Sequence, residues 1–326
     1  LTITVGRVSL PGMSSYGGAR LIMEYIPALS MFAGISAGYL IRGQKTKYST
    51  LFLLIILLGF LPSIIKLIQI HPNENVYFNF IVGGLSGAKE KNLDSWGNSY
   101  GNAYYPAITW LNKNSEKDSR LTLPINSIVN IPRYKLRGDI SLSETYWSGP
   151  SHEGEYVLEL THNYPPRNWY SLKYLETVME PVYEVKVDGV AIAKLWKNDS
   201  KFVKEEYRNL KKIALELDIK KVQNQLIINL PEIRKLMQIS IDIPTQNCKP
   251  IKTGFVRTSV DDTTWSREPE DIARDQLKQA AIREAEDTFD FYFVAKDTKI
   301  IVFEIENEDA CLLSGSTAWA TVLQVP

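Results

Sequence analysis

Apolar positions are concentrated in two long runs within the first 70 residues of this chain. Residues 25–41 carry no charge, and small side chains recur there at Ala28, Ser30, Ala33, Gly34, Ser36, Ala37 and Gly38. Small residues let membrane helices approach closely. Residues 51–61 are apolar on every helical face, and a helix with no polar face belongs in lipid or in a large core. The pattern predicts transmembrane helices at about 21–41 and 50–70, each about 20 residues and able to cross about 30 Å of hydrocarbon. The loop between them carries Arg42, Lys45 and Lys47 and no acid. Positive short loops stay in the cytoplasm, so everything after residue 70 is expected outside the cell, with the protein a multi-pass protein of the cell membrane.

Past Ile70 the periodicity shortens. Residues 98–114 fit a helix with Ala103, Ile108, Trp110 and Leu111 inward, and Pro106 marks a kink or a late start. Strands are expected at 121–125 and 155–160, and a helix at 169–179. Residues 181–187 alternate strictly, turn at Asp188-Gly189 and resume over 190–196, which predicts a hairpin with a type I′ turn. These elements suggest an extracytoplasmic α/β domain over 71–200. Residues 201–236 are charged and helical in pattern, most clearly at 201–218, and read as a helical linker. From Met237 short strands return, at 239–243, 254–260, 289–294, 299–304 and 318–325, with a helix inserted at 272–286. The expectation for 237–326 is a mostly-β, sandwich-like domain.

Charge narrows the functions. Lys+Arg and Asp+Glu are both 37 in 326 residues, giving no net charge and no basic block, so nucleic acid is not an expected partner. The two cysteines, Cys248 and Cys311, are too few for a disulfide scaffold; they either pair or remain buried thiols. The chain opens at Leu1 inside an apolar stretch, which reads as truncation or processing. His71, His152 and His162 are scattered, and Ser151-His152-Glu153 lacks the second histidine of a zinc helix, so no metal is expected. Gly83–Gly87 lacks the lysine of a phosphate loop. Asp261 and Asp262 lack calcium-loop spacing. Asn198-Asp-Ser200 matches a glycosylation sequon. Trp265, in a loop-like stretch, is either a core side chain or a platform for a sugar ring.

Arg20 and Glu24 stand four apart, on one helix face beside the first apolar run. They either pair with each other, or Arg20 and Tyr16 face a lipid phosphate that Gly17 and Gly18 allow the backbone to approach. Arg suits phosphate because its planar fork donates two hydrogen bonds.

The run from Tyr16 through Arg20 to Glu24, Pro27 and Gly34 resembles the last membrane helices of GT-C-class glycosyltransferases, the class of protein O-mannosyltransferases and lipid A aminoarabinose transferases. Tyr77, Asn79, Gly83 and Gly84, followed by Asp94, Trp96 and Gly97, resemble the stretch where such enzymes leave the membrane: a turn, a Trp-Gly element, then an amphipathic helix. The resemblance covers about residues 10–197. It implies transfer of a sugar from a polyprenyl-phosphate donor to an extracytoplasmic glycan or protein acceptor, with membrane lipid as a further partner and no cofactor. The carboxylate base of that reaction lies far upstream in the class, so this chain is expected to lack it, and no catalytic residue is assigned. Tyr16, Arg20 and Glu24 would border the donor-lipid phosphate. The last strands and the Trp265 loop faintly resemble discoidin-type jelly rolls. The alternative expectation is a membrane-anchored, non-enzymatic glycan- or protein-binding protein of the cell envelope.

Overall fold

The computed structural model of the chain describes residues 25–42, 46–93, 96–97, 101–123, 131–143, 146–161, 170–215, 217–223, 225–242, 254–265, 270–271, 282–284, 288–305 and 318–323. It divides into two compact units, residues 1–71 and 72–326.

In the first unit, α1 (Tyr25–Arg42) packs on α2 (Thr46–Ile70). Described side chains along α2, from Leu51 and Leu53 to Phe60, Ile64 and Ile68, are exposed. Among the described residues, one helix is long and apolar enough to cross a membrane, Tyr48–Ile70; the apolar part of α1 is only Ile26–Tyr39. At about 1.5 Å per residue that part rises roughly 20 Å, short of a bilayer core. The expectation of two transmembrane helices is therefore corrected.

The second unit is mostly β and opens with short helices, α3 (Gly84–Glu90) and α4 (Tyr104–Asn114). Tyr104, Ala107, Ile108 and Leu111 of α4 are buried, one stripe at helical spacing. Pro106 is tolerated because first-turn N–H groups have no helical acceptor anyway. Trp110 lies outside that stripe and stacks on Tyr183, ring centroids 5.5 Å apart.

Strands β1 (Arg120–Thr122), β2 (Ser141–Ser143), β3 (Tyr156–Leu160), β4 (Tyr183–Val187) and β5 (Val190–Lys197) form a mixed sheet ordered β2-β1-β3-β5-β4. All five residues of β3 are buried. The β4–β5 turn has positive φ at both Asp188 (52°) and Gly189 (77°), as a type I′ turn requires. Where β3 begins and β5 ends, the Glu116 carboxylate contacts Lys197 Nζ and accepts from Tyr156 Oη at 2.9 Å. Lys197, and to a lesser degree the backbone N–H and Tyr156, hold the Glu116 carboxyl down at about 2. The Tyr156 hydroxyl is pushed up, chiefly by burial.

Residues 201–236 are not a helical linker. After short 3-10 turns at Ser200–Phe202 and Glu205–Tyr207 come β6 (Leu210–Leu215), β7 (Asp218–Val222) and β8 (Gln225–Asp242). The charges that suggested a helical face lie on outer strands with one partner each, exposed on both faces: Lys211, Lys212, Asp218 and Lys220 are exposed, while Leu215, Leu226, Ile228 and Leu230 are buried. With β9 (Gly254–Ser259), β10 (Glu270–Asp271), β11 (Ile282–Glu284), β12 (Thr288–Ile305) and β13 (Ala318–Leu323) they form one eight-stranded sheet. Its centre is two strands of 18 residues, β8 and β12. Both bend. The β12–β8 register breaks between Tyr292 and Lys296 and again between Thr298 and Ile300. At the second break Leu230–Ile233 of β8 bulge out, and Pro231 there has no N–H to donate to a ladder.

The bends divide the pairing. Residues 236–242 of β8 pair with the start of β12 and with β13, whereas 225–229 pair with the end of β12 and with β7. Long strands that change partners at bulges make the corners of a sandwich-like fold. The expected short strands at 289–294 and 299–304 are thus one strand. The class expected from sequence, membrane-helical with an α/β domain and a separate C-terminal β domain, gives way to a mostly β, sandwich-like protein. The expected helix at 272–286 falls largely outside the described residues, and its described part, 282–284, is strand β11. Cys248, Cys311 and His162 also lie outside the described residues.

Candidate functional site

α5 (Tyr170–Val178) carries Tyr170, Tyr174, Leu175 and Val178 inward. They join Trp147, Val157, Trp196, Val203, Tyr207 and Met237 in one buried cluster, with Tyr292 and Val294 packed against it. Val157 and Trp196 belong to the five-stranded sheet, and Met237 belongs to β8. One core therefore runs between the two sheets, with α5 in the middle.

A cavity of about 470 Å³ opens into this cluster, a size common for small-molecule sites. Its floor is made by the first break in β8. Tyr292 and Thr321 both pair with Gln238, and both ladders resume at Leu236. Met237 is skipped on either side. Residues directly opposite across strands share a face, so Tyr292, Gln238 and Thr321 stand in a row and all three line the cavity. Thr321 Oγ1 donates to Gln238 Oε1 at 3.3 Å, and Gln238 Nε2 donates to Ser240 Oγ at 3.0 Å. A bulge that re-aims side chains beside a binding site is a recurrent device.

The wall facing this row comes from α5 and from the turn at 148–155. Tyr170, Tyr174 and Trp147 meet edge-on or tilted, ring centroids 5.7–5.8 Å apart, an arrangement aromatic pairs favour. Tyr174 Oη lies 2.6 Å from His152 Nε2. Burial pushes the Tyr174 and Tyr207 hydroxyls up, so both keep their protons at neutral pH and remain donors.

His152 is held at φ 50° by a buried polar network. The Glu155 carboxylate accepts from Ser148 N (2.7 Å), Ser148 Oγ (2.8 Å) and Asn198 Nδ2 (2.9 Å). Asn198 Nδ2 also reaches the Gly149 carbonyl at 2.9 Å. Asn198 is fully buried, so the sequon that it opens is closed to glycosylation in the folded protein. The remaining rim holds Ser200, Tyr207 and Arg208. Arg208 is fixed by bonds from Nε to the Val203 carbonyl (2.7 Å) and from Nη2 to the Lys201 carbonyl (3.1 Å).

The residues singled out from the sequence do not meet here. Tyr16, Arg20 and Glu24 lie outside the described residues. Trp265 is half-buried, bridges to Ser259 and does not line the cavity. It closes a turn in which Asp261 Oδ1 accepts from Thr263 N (2.9 Å) and Thr264 N (2.7 Å). The cavity residues were missed because they come from separate segments with no local motif. His152 enters the sequence argument only as a metal ligand. Arg208 falls in the charged stretch that reads from sequence as a helical linker. Among the described residues no group of three metal-binding side chains comes together.

No family model and no curated protein matches the chain. Solved structures overlap parts of it. CBM32-3 from a family 31 glycoside hydrolase of Clostridium perfringens is 12% identical and covers 45% of this chain and 90% of its own, with a TM-score of 0.22. The family 32 CBM from C. perfringens NanJ, in complex with galactose, is 11% identical over 35% of this chain and 89% of its own, at 0.20. CpGH89CBM32-6, produced by C. perfringens, is 12% identical over 36% of this chain and 94% of its own, also at 0.20. Scores this low bear on neither the fold nor the function of this chain.

Proposed function

We propose that residues 72–326 form a glycan-binding region, tethered to a membrane by the apolar helix Tyr48–Ile70, that recognises a saccharide without transforming it. The observation that carries this reading is the lining of the 470 Å³ cavity. It combines four tyrosines with His152, Ser200, Arg208, Gln238 and Thr321. A pyranose presents an apolar C–H face and a rim of hydroxyls. Aromatic faces cover the first, and fixed side chains that donate and accept match the second. The lining includes no Asp or Glu among the described residues, whereas glycoside cleavage uses a pair of carboxylates and glycosyl transfer a carboxylate base. That composition favours holding over turnover.

The test is calorimetry of residues 1–326 in detergent against a panel of neutral and acidic oligosaccharides. Arg208→Ala and Gln238→Ala are each expected to weaken binding about 10-fold or more, the size of one lost hydrogen bond to a sugar hydroxyl in a desolvated site. Trp265→Ala should leave affinity unchanged. Binding that survives both cavity substitutions and fails with the Trp265 change would move the site to the Asp261 turn.

A second reading treats the chain as the C-terminal portion of a lipid-phosphosugar-dependent glycosyltransferase, with the cavity holding the acceptor. The order of a Gly83–Gly84 turn, a Trp96-Gly97 turn and the amphipathic α4 favours it, because the resembled class has these features in that order. Upstream coding sequence with many further membrane helices and an acidic first outer loop would support it.

A further inference from the structure

Two large apolar side chains stand at the tip of a turn that cannot turn them inward. Phe80 is 85% exposed and its neighbour Ile81 76%. The backbone beneath them is tied at every step. Asn79 Oδ1 accepts from Ile81 N at 3.1 Å and from Val82 N at 3.2 Å. Gly83 N donates to the Phe80 carbonyl at 3.1 Å, and Gly84 N to the Asn79 carbonyl at 3.0 Å. Gly83 and Gly84 hold φ of 94° and 66°, conformations that side-chain-bearing residues rarely adopt. The turn is pressed onto α3, where a Cβ on Gly87 would lie 2.1 Å from the Val82 carbonyl oxygen. Lys91 Nζ donates to that same carbonyl at 3.1 Å, which places an ammonium beside the apolar pair.

A stiff turn that presents adjacent Phe and Ile to the outside, collared by a lysine, has the chemistry of the bilayer boundary. Apolar tips are stabilised among the upper acyl chains, and the ammonium is stabilised among lipid phosphates. Chain length agrees. Phe80 follows the last residue of Tyr48–Ile70 by ten positions. A fully extended stretch of that size reaches at most about 35 Å, and the 3-10 turn Glu74–Val76 shortens it.

We propose that the Phe80–Ile81 turn is a membrane-interface anchor, inserting both side chains below the headgroups while Lys91 meets lipid phosphate. This rests on the membrane tether proposed above and is independent of the glycan site.

The test uses residues 1–326 reconstituted into vesicles of phosphatidylcholine with phosphatidylglycerol. The background is Cys248→Ser and Cys311→Ser, with a nitroxide on Phe80→Cys or Ile81→Cys, and on Val222→Cys of β7 as the aqueous control. Phe80 and Ile81 make no buried packing, so labelled protein is expected to keep its circular dichroism. Oxygen, which partitions into lipid, is expected to collide with the 80 and 81 labels several-fold more than a water-soluble nickel chelate, with the reverse at 222. Nickel exceeding oxygen at 80 and 81 overturns the anchor and leaves the tether standing. Shielding from both reagents overturns it in favour of a protein partner or a second copy. Failure of the protein to float with the vesicles overturns tether and anchor together.

Discussion

Glu116 shows what one side chain contributes on the surface of the second unit. Its carboxyl titrates at about 2 in the folded protein against 4.5 ordinarily, with Lys197 the first cause. A folded pKa below the unfolded one stabilises the fold above the unfolded value, and this contribution fades as pH falls from about 4.5 toward 2. Asp139, held down to about 2 chiefly by its bond from Arg137, acts in the same sense from 3.8 downward. Denaturant titrations across that range should show falling stability. Glu116→Gln is expected to flatten the slope there while leaving the Asp139 part, and to lower stability near neutrality by that same amount, a modest one because the pair is solvent-screened, so that the two proteins converge toward pH 2. An unchanged slope would show that the contact with Lys197 is not kept in solution. None of this was legible in the sequence. Glu116 and Lys197 lie 81 positions apart; Glu116 precedes β1, and the β1–β3 and β3–β5 pairings together bring it to Lys197.

Among elements, those governed by local rules were readable. The Asp188-Gly189 hairpin, the strand 156–160, the helix 170–178 and the amphipathic 104–114 follow from turn chemistry and periodicity, which act within a few residues. The stretch 201–218 misled because a charged run can suit either a helix or an edge strand, and partners far along the chain decided between them. The Asn79–Gly84 turn was visible as glycines, although its pressure on α3 was not. That pressure can be measured. Gly87→Ala puts a methyl where the Val82 carbonyl sits, so it is expected to destabilise the second unit by about 1–3 kcal/mol in urea unfolding. Gly138→Ala, where an added Cβ meets nothing within 4 Å, should cost far less. Equal losses would show that the turn relaxes freely.

For the whole molecule, the sequence suggested two globular parts joined by a linker, and the folded chain has no such seam within residues 72–326. The cavity was illegible for the same reason. Its floor exists only because β8 and β12 slip register around Met237, and no local pattern announces a slip. The shared core carries a practical consequence. Severing the polypeptide after Ser200 would strip Met237, Tyr207 and Tyr292 from the rings of Tyr170 and Tyr174, leaving a sticky scar on each half. Residues 72–200 produced alone are expected to aggregate or to bind a hydrophobic dye strongly, whereas 72–326 should stay monodisperse by light scattering. A well-behaved 72–200 piece would mean that the two sheets evolved as separable modules, and that the tyrosine cleft arose where they happened to meet.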